Sequence, residues 1–165
     1  MRTGRFTLAS GRVSTYYIDA RLTTMNGAGQ VLVGEVCHRI IEGAGWAPQF
    51  VGGMTLGADP IACAIANHAA RLGHSLDAFT VRKRLKDHGT GRQIEGGLVP
   101  GARVVVVEDA VTSGASLLAA LKVVERHGAL VGGVLALVDR EEGGGQRMLE
   151  EGYDFRAVFT AAELV

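Results

Sequence analysis

Four consecutive valines, Val104 to Val107, followed at once by Glu108 and Asp109, set the tightest limit on how this chain can fold. A strand with one wet face alternates apolar and polar residues. An unbroken β-branched run belongs to a strand covered on both faces, as in the middle of a parallel sheet flanked by helices. Ligands of such sheets bind beyond the carboxyl ends of the strands, so chemistry is expected just after Val107. There the chain reads Ala110-Val111-Thr112-Ser113-Gly114-Ala115-Ser116 and passes into a helical pattern from Leu117 to His127. Hydroxyls and small residues ahead of a helix let several N–H groups converge on a phosphate, and the helix dipole favours the anion. The two acids cannot bind phosphate directly. Adjacent carboxylates can accept hydrogen bonds from neighbouring sugar hydroxyls or help hold a hydrated Mg²⁺. A ribose 5-phosphate fits both halves of the motif; the competing reading is a strand end with solvated acids and a Thr or Ser that caps the helix.

The rest of the chain supplies partners for that strand. Residues 5–8 and 13–19 read as short extended segments around the turn Ser10-Gly11. Val33, Val36, Cys37, Ile40 and Ile41 recur at helical spacing between Gly29 and Gly43. Phe50 to Gly53 is a buried strand, and Met54-Thr55-Leu56-Gly57-Ala58-Asp59 leads into a helix opened by Pro60 and ending near Gly73. This order of strand, loop and helix gives a second anion-facing loop. Residues 76–81 and 131–138 are further strands, the latter completing a right-handed β-α-β unit with Val104–Val107. A short helix through about Gly152 and a strand from Phe155 to Phe159 finish the chain. His68 and His74 read as surface or cap residues with no assigned role, and Cys37 and Cys63 read as buried free thiols.

Seventeen basic residues balance seventeen acidic ones over 165 residues, which argues against a nucleic-acid or anionic-membrane surface and makes any anion site local. One such place exists. Arg82, Lys83, Arg84, Lys86 and Arg92 against Asp87 leave a formal charge of +4. Gly89, Gly91 and Gly96 with no hydrophobic period make residues 82–96 a flexible loop. A basic, flexible segment leading into the candidate site can close over a polyanion. The length suits a single domain, residues 1–165. No signal peptide or membrane span is read from the sequence, and a reducing cytoplasm is the expected compartment.

The acid pair with Thr112-Ser113-Gly114-Ala115-Ser116 resembles the phosphoribosyl pyrophosphate (PRPP) signature of type I phosphoribosyltransferases. Three further segments narrow the resemblance to orotate phosphoribosyltransferases: Phe6-Thr-Leu-Ala-Ser-Gly-Arg12 with Tyr16-Tyr17, the run from Arg82 to Gly91, and Leu137-Val138-Asp139-Arg140-Glu141-Glu142. The resemblance implies the type I α/β fold: a central, mostly parallel sheet flanked by helices, with a small N-terminal hood over residues 1–25. It implies transfer of ribosyl 5-phosphate from PRPP to orotate, giving orotidine 5′-monophosphate and pyrophosphate on the route to UMP. By the same resemblance Arg82, Lys83, Lys86, His88, Glu108, Asp109 and the run Ala110, Val111, Thr112, Ser113, Gly114, Ala115 and Ser116 bind PRPP. Lys86 and Asp109 are catalytic, and Thr112, Arg140 and Tyr17 meet orotate. Mg²⁺ arrives with PRPP, reached through water by Glu108 and Asp109 rather than by direct ligation. A homodimer is implied, with residues 82–96 of one subunit covering the site of the other.

The chain departs from the family at Ala9 and near Leu56, where many members carry lysine, and only five residues precede Phe6 where relatives carry a further helix. Two other readings remain: a phosphoribosyltransferase for another base, and a non-catalytic PRPP-binding regulator. The basic loop and the Asp139-Arg140-Glu141-Glu142 run favour orotate over the first, and the loop together with the lack of a DNA-binding segment disfavours the second.

Overall fold

The computed structural model describes residues 2–7, 13–84 and 93–164. In chain order the first half contains β1 (Arg2–Thr7), β2 (Val13–Tyr17), α1 (Arg21–Thr24), α2 (Gly27–Gly43), β3 (Phe50–Met54), α3 (Asp59–Arg71) and β4 (Asp77–Val81). The second half contains β5 (Ile94–Gly96), β6 (Arg103–Val111), α4 (Ala115–Arg126), β7 (Leu130–Asp139), α5 (Gly144–Glu150), β8 (Phe155–Thr160) and α6 (Ala161–Leu164). β1 and β2 pair antiparallel as a separate ribbon, the place of the expected hood. The other six strands form one sheet in the order β5-β4-β3-β6-β7-β8, parallel except for β5.

The four valines account for the layering. Val104 and Val106 turn into the core built with Leu117, Leu121 and Val124 of α4, whereas Val105 and Val107 turn into the core built with Ile41 of α2 and Ile61 and Ile65 of α3. All four are fully buried. Each such side chain contributes about 1.5–3 kcal/mol relative to exposure, which holds β6 at the centre of the sheet. α2 begins where the Asn26 side chain accepts from the Gly29 N–H at 3.1 Å, satisfying one of the open donors of its first turn.

Two features differ from the sequence expectation. Residues 94–96 are not loop: they pair with Val81, Thr80 and Phe79 as the antiparallel edge strand β5, and Ile94 packs on the core. A single apolar residue among glycines is too short a pattern to reveal such a strand. Cys63 is exposed, because it lies off the Ile61–Ile65 stripe by which α3 packs. Cys37 is buried, and burial pushes its thiol up to about 12. Among the described residues, no helix is long and apolar enough to cross a membrane.

Candidate active site

β3 and β6 are neighbours, but the chain leaves them in opposite directions: β3 passes through α3 to β4, and β6 passes through α4 to β7. α3 and α4 pack in the cores on opposite faces of the sheet. This is a topological switch point, where a crevice opens beyond the strand ends. The loop after β3 and the acids of β6 line it from its two sides.

The approach is close. A Cβ on Gly57 would stand 2.9 Å from Asp109 Oδ1 and 3.1 Å from Glu108 Oε1, so only glycine leaves the carboxylates in place. The loop is pinned by Asp59, whose Oδ2 accepts from the Thr55 hydroxyl at 2.6 Å and whose Oδ1 accepts from the Thr80 hydroxyl at 2.8 Å. One carboxylate at the start of α3 thereby ties this loop to the neighbouring strand β4. The sequence reading placed the loop but missed this clamp; the signal was Asp59 ahead of Pro60 five residues after the strand, and its partner Thr80 is distant in sequence.

Glu108 is 7% exposed and Asp109 half-buried. The Asp109 N–H donates to Glu108 Oε1 at 3.3 Å, and the Ala110 N–H donates to Asp109 Oδ1 at 2.8 Å. Burial, and next the charge of Asp109, push the Glu108 carboxyl up to about 8; a hydrogen bond from Ser116 pulls the other way. Two adjacent carboxyls, one of them buried, make a cation-seeking spot.

Beyond Val111 the loop turns at Gly114, which has φ 73° and forms the N-cap of α4. No described side chain caps α4, so Thr112 and Ser113 do not play the capping role that the competing reading assigned. A Cβ on Gly114 would meet Met148 Cε at 2.9 Å, which fixes α5 against the loop. Thr112, Ser113, Ala115 and Ser116 are exposed, while Ala110 is half-buried and Val111 buried. The loop is a shallow, hydroxyl-lined cradle whose first helical N–H groups meet no competing side chain.

Arg140 follows β7 and is stitched to the end of β6 by its N–H, which donates to the Val111 carbonyl at 2.9 Å. Its side chain is nearly buried, with Nε 3.0 Å from Glu142 Oε1. On the other flank the Thr55 N–H donates to the Val81 carbonyl at 2.9 Å, so the basic segment begins beside the Gly57 loop. Arg82 pairs with Glu95 at 3.1 Å, and Lys83 is exposed. Lys86 and His88 lie outside the described residues, as does the side chain of Tyr17 in β2.

The phosphoribosyl transferase domain family matches residues 26–156. An orotate phosphoribosyltransferase of Aquifex aeolicus (strain VF5) is 44% identical over 160 residues, covering 97% of this chain and 86% of the relative. Orotate phosphoribosyltransferase of Mycobacterium tuberculosis H37Rv, in a crystal structure with Fe(III) dicitrate, superposes with a TM-score of 0.86 at 43% identity over 98% of this chain and 90% of that one. The same enzyme in complex with 5-phospho-α-D-ribosyl 1-diphosphate (PRPP) gives 0.82 at 41% identity over 97% and 89%. With the switch-point acids, the hydroxyl cradle and these matches along nearly the whole length, the chain belongs to the orotate phosphoribosyltransferase family, with the type I phosphoribosyltransferase fold.

Proposed function

We propose that this chain transfers the 5-phosphoribosyl group of PRPP to N1 of orotate, forming orotidine 5′-monophosphate and pyrophosphate in pyrimidine biosynthesis. The observation that carries the reading is the acid pair at the switch point, with Glu108 buried and Asp109 half-buried, flanked by an uncapped hydroxyl loop, in a chain of this family. Glu108 and Asp109 accept the ribose hydroxyls, and Ala110 to Ser116 cradle the 5-phosphate. Arg82, Lys83, Lys86 and His88 meet the pyrophosphate, while Arg140, Thr112 and Tyr17 orient orotate. As the bond from ribose C1 to pyrophosphate breaks and the bond to N1 forms, positive charge grows on the ribose and negative charge on the leaving group. Fixed charges aimed at each lower the barrier most: Asp109 faces the ribose side and Lys86 the pyrophosphate side. No covalent nucleophile is needed.

The donor set fits Mg²⁺. Two carboxylate oxygens suit a hard cation, and the carboxyl of Glu108, raised first by burial and next by the charge of Asp109, gains from a cation beside it. Two side chains are too few for a protein cage, which suits an ion carried by PRPP and held by Glu108 and Asp109 through water. When bound, Mg²⁺ neutralises charge on the departing pyrophosphate. The working unit is a homodimer with the basic segment between β4 and β5 of each subunit over the partner's site, in the cytoplasm, and residues 1–165 act as one domain with residues 1–25 as the hood. The test is base consumption with PRPP and Mg²⁺, using orotate beside adenine, hypoxanthine, xanthine and uracil. Orotate alone should be consumed; turnover of a different base in preference would overturn the assignment.

A further inference from the structure

Three of the chain's five histidines, His38, His68 and His74, meet where α2 packs on α3, on the face of the sheet opposite α4, with no part in the chemistry above. His38 and Glu42 lie one turn apart on α2 and so share a face. His74 follows the end of α3, where Gly73 at φ 82° turns the chain and the His74 N–H donates to the Ala69 carbonyl at 3.0 Å. That backbone bond fixes where the imidazole starts. His74 Nδ1 stands 3.4 Å from His38 Nε2 and 3.5 Å from Glu42 Oε1. His38 is 4% exposed, whereas the side chains of Glu42 and His74 are about half exposed. The three border a hollow of about 120 Å³, and His68 of α3 packs against His38 with ring centroids 5.4 Å apart.

We propose that His38, Glu42 and His74 form a binding site for a first-row transition cation of the Zn²⁺ type, joining α2 to the connection between α3 and β4. Ligand atoms bonded to Zn²⁺ at about 2.0–2.1 Å stand roughly 3.3–3.5 Å apart around a tetrahedron. Two edges of the triangle already have that length. Along the third side Glu42 Oε2 now faces the other ring nitrogen of His38, Nδ1, at 3.6 Å, while one ligand atom from each of the three residues already lies within 4.8 Å of the others; the triangle closes on His38 Nε2 when the half-exposed Glu42 side chain swings across. Two imidazoles and one carboxylate suit Zn²⁺ and its first-row neighbours over Mg²⁺ or Ca²⁺, which take oxygen ligands. Three protein ligands leave the fourth position to water. Among the described residues, this is the group of three or more His, Cys, Asp or Glu side chains close enough to share an ion, and the acid pair of the active site is not part of it.

Chelator-treated full-length protein is titrated with Zn²⁺ and, separately, Mg²⁺, while thermal stability and binding heat are followed. His74→Ala and Glu42→Gln are run alongside, since both side chains are half exposed and neither is in the active site. Zn²⁺ should bind one per chain and raise the melting temperature, Mg²⁺ should not reproduce the effect, and each variant should bind Zn²⁺ at least about tenfold more weakly. A zinc effect that persists undiminished in both variants would place the ion elsewhere and overturn the proposal. So would the absence of any zinc effect on the wild-type protein, which would leave the cluster a hydrogen-bonded lock between two helices.

Discussion

Gly57 and Asp109 approach from opposite sides of the switch-point crevice until a single methyl group would come within 2.9 Å of the Asp109 carboxylate. Gly57→Ala should therefore push Asp109 away from the ribose position with little effect on the melting temperature. Misplacing a reacting group by about 1 Å can cost on the order of a hundredfold in rate, so kcat/KM for PRPP is expected to fall by at least tenfold on that basis. Steady-state kinetics with a melting curve checks this; unchanged PRPP kinetics would mean that the loop yields freely.

The raised carboxyl of Glu108 couples stability to pH. Its ordinary value is 4.5 and its folded value about 8, so between these the folded chain holds more protons than the unfolded one. The associated stability is fully present below about pH 4.5 and is lost as pH rises through about 8. Glu108→Gln removes that slope. Melting temperatures across this range, without PRPP or divalent ions, should decline more steeply for the wild type than for the variant; parallel curves would show that Glu108 does not titrate there.

Arg140 is nearly buried beside Glu142 and tied to the end of β6. Arg140→Ala should raise KM for orotate by about 10- to 100-fold, the worth of a charge-assisted contact, and leave KM for PRPP within a few-fold on the same reasoning. Arg140→Lys should recover part of the loss, because an ammonium cannot reproduce the planar fork. Equal losses for both substrates would assign Arg140 a structural role alone.

Much of this site is legible in the sequence because its parts are contiguous. The valine run sets the central strand, the acids follow it, and the hydroxyl loop follows them within thirteen positions. What the sequence hides is what depends on register between distant segments. Gly57 opposite Asp109 requires the β3–β6 pairing to be known, and Thr80 on Asp59 and the meeting of His38 with His68 and His74 require the α2–α3–β4 packing. The exposed Cys63 and the three-residue β5 were misread for a related reason: a helix flank and a short edge strand carry too little pattern to show which way they face.

Shared sites can be tested by subunit exchange. Lys86→Ala and Asp109→Asn are each expected to be nearly inactive. If the basic segment between β4 and β5, with Lys86, serves the partner's site, a mixed dimer holds one site with both defects and one with neither, and statistical mixing restores about a quarter of wild-type activity. Proven exchange without recovery would confine each loop to its own subunit.

The most direct measurement of the central claim is product stoichiometry with PRPP, orotate and Mg²⁺. Orotate lost, orotidine 5′-monophosphate formed and pyrophosphate released should rise together in a 1:1:1 ratio in the wild type and slow together in Asp109→Asn. Pyrophosphate released without nucleotide formed, or orotate left untouched by active-site-competent protein, would contradict phosphoribosyl transfer to orotate.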